Sequence, residues 1–126
     1  MIFPQRKKKK KTRPGRTKYN TRPARCHCTA GHNHDSRVEA QHCNRLAARL
    51  AAGRIADYKT QKRFDLVVNG RLVGRHYVDF LIEQNDGTQS IVEVKSPGTV
   101  TEIWKLKRAL TEVLFPHIPY TVAWYR

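Results

Sequence analysis

Acidic residues are missing from the first 25 positions, although that stretch holds 11 of the chain's lysines and arginines. Long apolar runs are missing everywhere. Nothing approaches the ~20 consecutive apolar residues of a membrane-spanning helix. Only Ile2, Phe3 and Pro4 are apolar between Met1 and the first basic residues, too little for the apolar stretch of a secretory signal. Cysteine is scarce and odd in number, at three, which argues against a disulfide scaffold. These absences predict an intracellular, cytoplasmic protein with no membrane partner. A length of 126 residues leaves room for one small domain and an appendage.

What is present is charge of one sign. The formal net charge is +15, and the residues after position 25 carry 14 basic and 10 acidic side chains. The chain therefore reads as a strongly basic arm on a mildly basic body. Lys7, Lys8, Lys9, Lys10, Lys11, Arg13, Arg16 and Lys18 are the arm's candidates for nucleic-acid contact, because each phosphate neutralised releases counterions. A solvated tail that binds anions without selectivity is the plainer alternative.

Three segments follow from composition: residues 1–25 as a flexible arm broken by Pro14-Gly15 and Pro23, residues 26–35 as a Cys/His-rich loop, and residues 36–126 as the folded domain. Ser36-Arg37-Val38-Glu39 has the form of a capping box, and Gly53 is a stop signal, so a helix is predicted between them. Spacing puts Glu39, Cys43, Leu46 and Leu50 on one face of it. Phe64 to Val68 reads as a first strand, and Asn69-Gly70 as a two-residue hairpin turn into a second strand, about Leu72 to Glu83. A third strand, Ser90 to Lys95, is broken by Ser96-Pro97-Gly98. A second helix, about Thr101 to Phe115, carries Ile103, Leu106, Leu110, Val113 and Leu114 on one stripe. Tyr120 to Tyr125 is the last strand. The order helix, three strands, helix, strand predicts an α/β (α+β) sandwich built on a small mixed sheet.

The charged residues within the apolar strands carry the chemistry. Asp79 lies in Tyr77-Val78-Asp79-Phe80-Leu81-Ile82, and Glu93 and Lys95 lie in Ile91-Val92-Glu93-Val94-Lys95. A charge in a buried strand is costly unless compensated. Strand alternation points Glu93 and Lys95 to one face, with Val92 and Val94 on the other. Two carboxylates and an ammonium converging on one point would make a site for a hard divalent cation and an activated water, the chemistry of phosphodiester cleavage. Glu39 on the first helix could pack beside them, or serve only as the capping-box acid. An exposed edge with solvated charges, or an ion pair to Lys95, is the alternative for Asp79 and Glu93.

The order of elements and the residues Glu39, Asp79, Glu93 and Lys95 resemble the PD-(D/E)XK nuclease superfamily. Ser36-Arg37-Val38-Glu39-Ala40, Gln61-Lys62-Arg63-Phe64, Val78-Asp79-Phe80 and Val92-Glu93-Val94-Lys95 are similar to a family of small phage-encoded proteins of that fold. They are more distantly similar to the DNA-cleaving subunit of some transposases. The likeness covers about residues 32 to 125. It departs from the pattern where Val78 replaces a proline and where Ser96-Pro97-Gly98 replaces a simple glycine turn. It implies a restriction-endonuclease-like core and an Mg²⁺- or Mn²⁺-dependent endonuclease acting on DNA, including branched or recombining phage DNA. Asp79, Glu93 and the Val94 carbonyl would hold the metal. Lys95 would orient or deprotonate the attacking water, and Glu39 would assist. Gln61, placed just before the first strand, is either a supporting group or a turn residue with no role.

Cys26, Cys28, His32, His34 and Cys43 form a second constellation. Thiolates and imidazoles at short spacing can bind structural Zn²⁺, although Cys-x-Cys is not the usual Cys-x2-Cys knuckle and Cys43 could equally be a core thiol. Lys105 and Arg108 lie off the apolar stripe of the second helix and are further phosphate-contact candidates, beside the ordinary reading of a solvated face. Trp124 reads as a core residue. The competing function is a non-catalytic, zinc-stabilised nucleic-acid-binding protein. Cleavage of both strands of a duplex would call for a homodimer.

Overall fold

A computed structural model describes residues 24–25, 33–34 and 36–125. The order is β1 (Ala24–Arg25), β2 (Asn33–His34), α1 (Arg37–Ala51), β3 (Asp57–Val68), β4 (Arg71–Glu83), β5 (Gln89–Lys95), α2 (Glu102–Leu114) and β6 (Tyr120–Trp124). From α1 onward this is the predicted order. The main sheet runs β3-β4-β5-β6, with β5 and β6 parallel and the other neighbours antiparallel. The fold is α+β. β1 and β2 pair as a short ribbon that lies against α1. The basic residues before position 24 and Cys26, Cys28 and His32 lie outside the described residues; His34 is placed only by its backbone in β2. Among the described residues no helix is long and apolar enough to cross a membrane.

Helix α1 begins where the sequence places it. The Ser36 side chain accepts the Glu39 N–H at 3.1 Å, satisfying one of the orphan donors of the first turn. It ends in a Schellman motif: Gly53 N–H bonds the Leu50 carbonyl and Arg54 N–H the Arg49 carbonyl, with Gly53 at φ +72°, the left-handed geometry that glycine supplies without strain. Glu39, Ala40, Cys43 and Leu46 are the buried face. Leu50, predicted to share it, is 37% exposed. The inward face passes to Ala40 and Leu46, and the last turn carries Leu50 out of the packed core. Ala40, Cys43 and Leu46 pack with Ile55, Phe80 and Ile82, and with Tyr58, Val92 and Val94.

The first strand is longer than predicted, starting at Asp57 rather than Phe64, so Gln61 lies inside it and not ahead of it. Lys59, Gln61 and Arg63 on its exposed alternate positions hid the strand, because they break any apolar run. The hairpin turn is as expected, with Asn69 at φ +50° and Gly70 at φ +79°, the paired left-handed geometry of a type I′ turn. A Cβ at Gly70 would meet nothing within 4 Å, so only backbone strain opposes it. Gly70→Ala is therefore expected to cost about 1 kcal/mol, read as a lower urea midpoint with an unchanged slope.

Midway along the hairpin the two strands turn over. Phe80 and Tyr58 pack on the α1 side, but Val78 and Phe64, of the same parity, join the other cluster with Leu81, Ile91, Ile118 and Phe115. The switch falls at Gln61 and Asp79, the position absent from the β3–β4 register. Gln61 has φ +49°, a left-handed residue that breaks the pleat. Two further predictions fail. On α2 the buried residues are Trp104 and Thr111, while Ile103, Leu106 and Val113 are 64%, 59% and 74% exposed. The helix is rotated so that the Trp104 indole meets the buried Glu93 carboxylate at 2.6 Å; a buried charge demands its donor more strongly than a leucine demands cover. Trp124, at the end of the edge strand β6, is 55% exposed and not a core residue.

Candidate active site

The turned-over point of the hairpin is also where β4 and β5 part. Their ladder ends at the Phe80–Val92 pair. Beyond it the Val94 N–H donates to Asp79 Oδ2 at 2.8 Å, a side chain standing where a ladder carbonyl would otherwise accept. Gln61, aimed by its left-handed backbone, donates from one amide nitrogen to Glu39 Oε1 at 2.9 Å and to Asp79 Oδ1 at 3.3 Å. The Glu39 side chain therefore has a partner outside its own helix. One amide holds together two carboxylates from elements far apart in sequence. Gln61 was assigned no certain role from sequence; the signal that could have found it is a polar residue inside a strand opposite the acid it bonds.

Asp79 is uneasy where it sits. Burial pushes its carboxyl up to about 6; the Val94 N–H opposes the rise, and the nearby Glu93 charge adds to it. Glu93 is the reverse case. It is 2% exposed. Burial alone would raise its carboxyl, but hydrogen bonds from His76, Tyr120 and Trp104 outweigh it and hold the group below its ordinary value. Trp104 Nε1 donates to Oε2 at 2.6 Å, and the Tyr120 hydroxyl to Oε1 at 2.6 Å. His76 Nε2 lies 3.0 Å from Oε1 and 2.8 Å from the Tyr120 hydroxyl. Burial and the Glu93 charge push the Tyr120 hydroxyl far up, so it stays a donor. Sequence reasoning missed His76, Trp104 and Tyr120 as partners of Glu93. Each comes from a different element, and only the packed sheet joins them.

Lys95 points to the Glu93 side, as alternation predicts, with its Nζ 4.9 Å from the Trp104 ring centre. Lys105 and Arg108 are paired within their own helix, to Glu102 at 3.0 Å and to Glu112 at 2.9 Å. Arg108 also lies over the Trp104 and Tyr120 rings. Cys43 is fully buried in the α1 cluster with its Sγ 3.4 Å from the Tyr58 hydroxyl, the packing of a core thiol. Among the described residues no three of the His, Cys, Asp and Glu side chains gather tightly enough to hold an ion by themselves.

The oxygen donors nonetheless fit magnesium, which takes one or two carboxylates and fills the rest of its shell with waters and substrate oxygens. A carboxyl lifted to about 6 by burial, as Asp79 is, is one that a cation would return to its charged form. Glu93 uses three of the roughly four lone-pair sites of a carboxylate; the remaining one is on Oε2, whose only described donor is Trp104.

The model of one protein family, described as "Protein of unknown function (DUF1064)", matches residues 16–125, and the chain belongs to that family. No curated protein and no solved structure matches it.

Proposed function

We propose that this member of a family of unknown function is a metal-dependent endonuclease that hydrolyses DNA phosphodiester bonds inside the cell. The observation that carries the reading is the Asp79 carboxylate, desolvated at the point where β4 and β5 separate and flanked by Glu39, Glu93 and Lys95. Its likeness to the PD-(D/E)XK arrangement supports the same reading.

Asp79 and Glu93 would hold the divalent cation, with the Val94 carbonyl as the further ligand that the resemblance adds. When bound, the cation supplies charge stabilisation at the phosphate and a water of lowered pKa. Trp104, Tyr120 and His76 fix the Glu93 carboxylate, so no reorganisation is needed as charge develops. Lys95, steadied over the Trp104 ring, adds positive charge at the scissile phosphate and orients the attacking water. Gln61 keeps Glu39 and Asp79 at a set separation, offsetting part of their repulsion.

A panel of duplex, single-stranded and branched DNA, and of RNA, incubated with Mg²⁺ or Mn²⁺ tests the reading. Cleavage of none of them, or undiminished cleavage by Asp79→Ala, would end it. Gln61→Gly offers a finer check. Glycine accepts the φ of +49° but removes the amide, so activity is expected to fall about 10- to 100-fold, while relief of the left-handed backbone offsets part of the stability lost with the shared donor. One observation favours a second reading, a nucleic-acid-binding protein without catalysis: Glu93 is so well satisfied by Trp104, Tyr120 and His76 that structure alone accounts for it. The cleavage panel separates the two readings.

A further inference from the structure

The solvent face of α1 carries a row of cations with no acid among them. Arg37, Arg45 and Arg49 all lie on it, exposed, with Gln41 and Ala48 between them. At 1.5 Å per residue they stand about 12 Å and then about 6 Å apart along the axis. The only acid of the helix, Glu39, is buried on the opposite face. Arg63 and Arg75 share Asp65, Lys105 pairs with Glu102, and Arg108 pairs with Glu112. None of the ion pairs among the described residues involves the three α1 arginines. Their field is felt locally: after burial, the charges of Arg45 and Arg49 are what hold His42 below its ordinary value.

We infer that the arginine row of α1, rather than the cations of α2, is the surface along which a nucleic-acid backbone lies while its scissile phosphate is at Asp79. The inference deepens the nuclease reading and rests on it. Two observations join at this helix. Glu39, tied through Gln61 to Asp79, sits on the inward side of the first turn, whose outward side carries Arg37 at the start of the row. Ala48, between Arg45 and Arg49, is small and exposed, so a backbone can approach closely there. Phosphates recur every 3.4 Å of axis on each strand, so the row spans several of them. An anionic membrane is the poorer fit, because the outward face has no large apolar side chain to enter a bilayer and the apolar face is spent on the sheet.

The test is binding of the full chain to a fluorescent duplex in EDTA, followed by anisotropy across a salt series, so that cleavage plays no part. Replacing Arg37, Arg45 and Arg49 together by Gln is expected to reduce the slope of log K against log salt by about 2 to 3, since each phosphate contact contributes about 0.9. Replacing Lys105 and Arg108 by Gln is expected to change it by less than about 1 on the same scale. An unchanged slope in the α1 variant, or an equal loss in the α2 variant, overturns the inference, as does loss of binding to phosphatidylserine vesicles with duplex binding intact. Failure of the unaltered chain to bind any duplex overturns it too. If the slopes move as expected but no substrate is ever cut, the nuclease reading falls and the binding face stands.

Discussion

Asp79→Asn is expected to abolish cleavage and to make the protein more stable. Losing a carboxylate that holds the cation forfeits several kcal/mol of charge stabilisation, so the rate should fall on the order of 10³-fold. The stability gain comes from the raised carboxyl. A group lifted from its ordinary range to about 6 is best tolerated protonated. Its ionisation adds no penalty below pH ~4, and the penalty is complete once the pH has passed about 6. At about 1.4 kcal/mol per pH unit, reduced for partial exposure, asparagine should gain about 2 kcal/mol on the unaltered protein between pH 4 and pH 7.5; its NH2, turned toward one of the two donors that Asp79 accepts from, offsets part of that gain at every pH. Chemical denaturation at the two pH values measures it. A second readout is independent of catalysis. Millimolar Mg²⁺ should raise the melting temperature of the unaltered protein at pH 7.5 and leave Asp79→Asn unmoved. A stability difference between the two proteins that does not change from pH 4 to pH 7.5 would show that Asp79 is at ease in its setting and remove the main support for the site.

Glu93→Ala is expected to have the opposite character, a collapse of stability. It strips the shared acceptor from Trp104, Tyr120 and His76 and leaves two buried polar groups and a half-buried hydroxyl facing a void. Removing one partner from such a cluster costs about 3 to 5 kcal/mol, a large share of the roughly 5 to 15 kcal/mol that holds a domain together. Trp104→Phe, which deletes one donor and narrows the indole to a single ring, should cost upward of about 1 to 2 kcal/mol. The pH dependence also runs the other way. Glu93 is held below its ordinary value, so its contribution is intact above pH ~4.5 and is lost as the pH falls through its folded value. With Asp79 relieved between pH ~6 and ~4 and Glu93 failing below, the unaltered protein should be most stable in mildly acidic buffer. Circular-dichroism melts from pH 3 to 8 would show the maximum; a plateau from pH 5 to 8 would contradict it.

The elements were largely legible because their punctuation is local. Ser36 and Gly53 bound α1, Asn69-Gly70 makes the hairpin, and Pro97-Gly98 ends β5, each through backbone chemistry that needs no partner. The pairing of Glu39 with Asp79 was legible only as an arrangement. The amide that joins them was not, since Gln61 gains its meaning from a left-handed backbone that no local pattern announces. The face of α2 was misread for a related reason. Its apolar stripe, Ile103 to Val113, is the stronger periodic signal, yet the fold follows the hydrogen-bonding needs of Glu93 instead. Periodicity reports where apolar side chains could go, and a buried carboxylate with three donors overrules it. The glutamate was noticed in the sequence. Its partners could not be, because Trp104, Tyr120 and His76 meet only after the sheet has formed.

The knot around Glu93 has a consequence for descent. A relative that gave up catalysis would still be obliged to keep this glutamate, because its fold would loosen without it. The same relative would be released from Asp79, which burdens the fold at neutral pH. Among sister sequences the aspartate, not the glutamate, should therefore be the first to drift once activity is no longer selected, and its retention is the sign of a working enzyme.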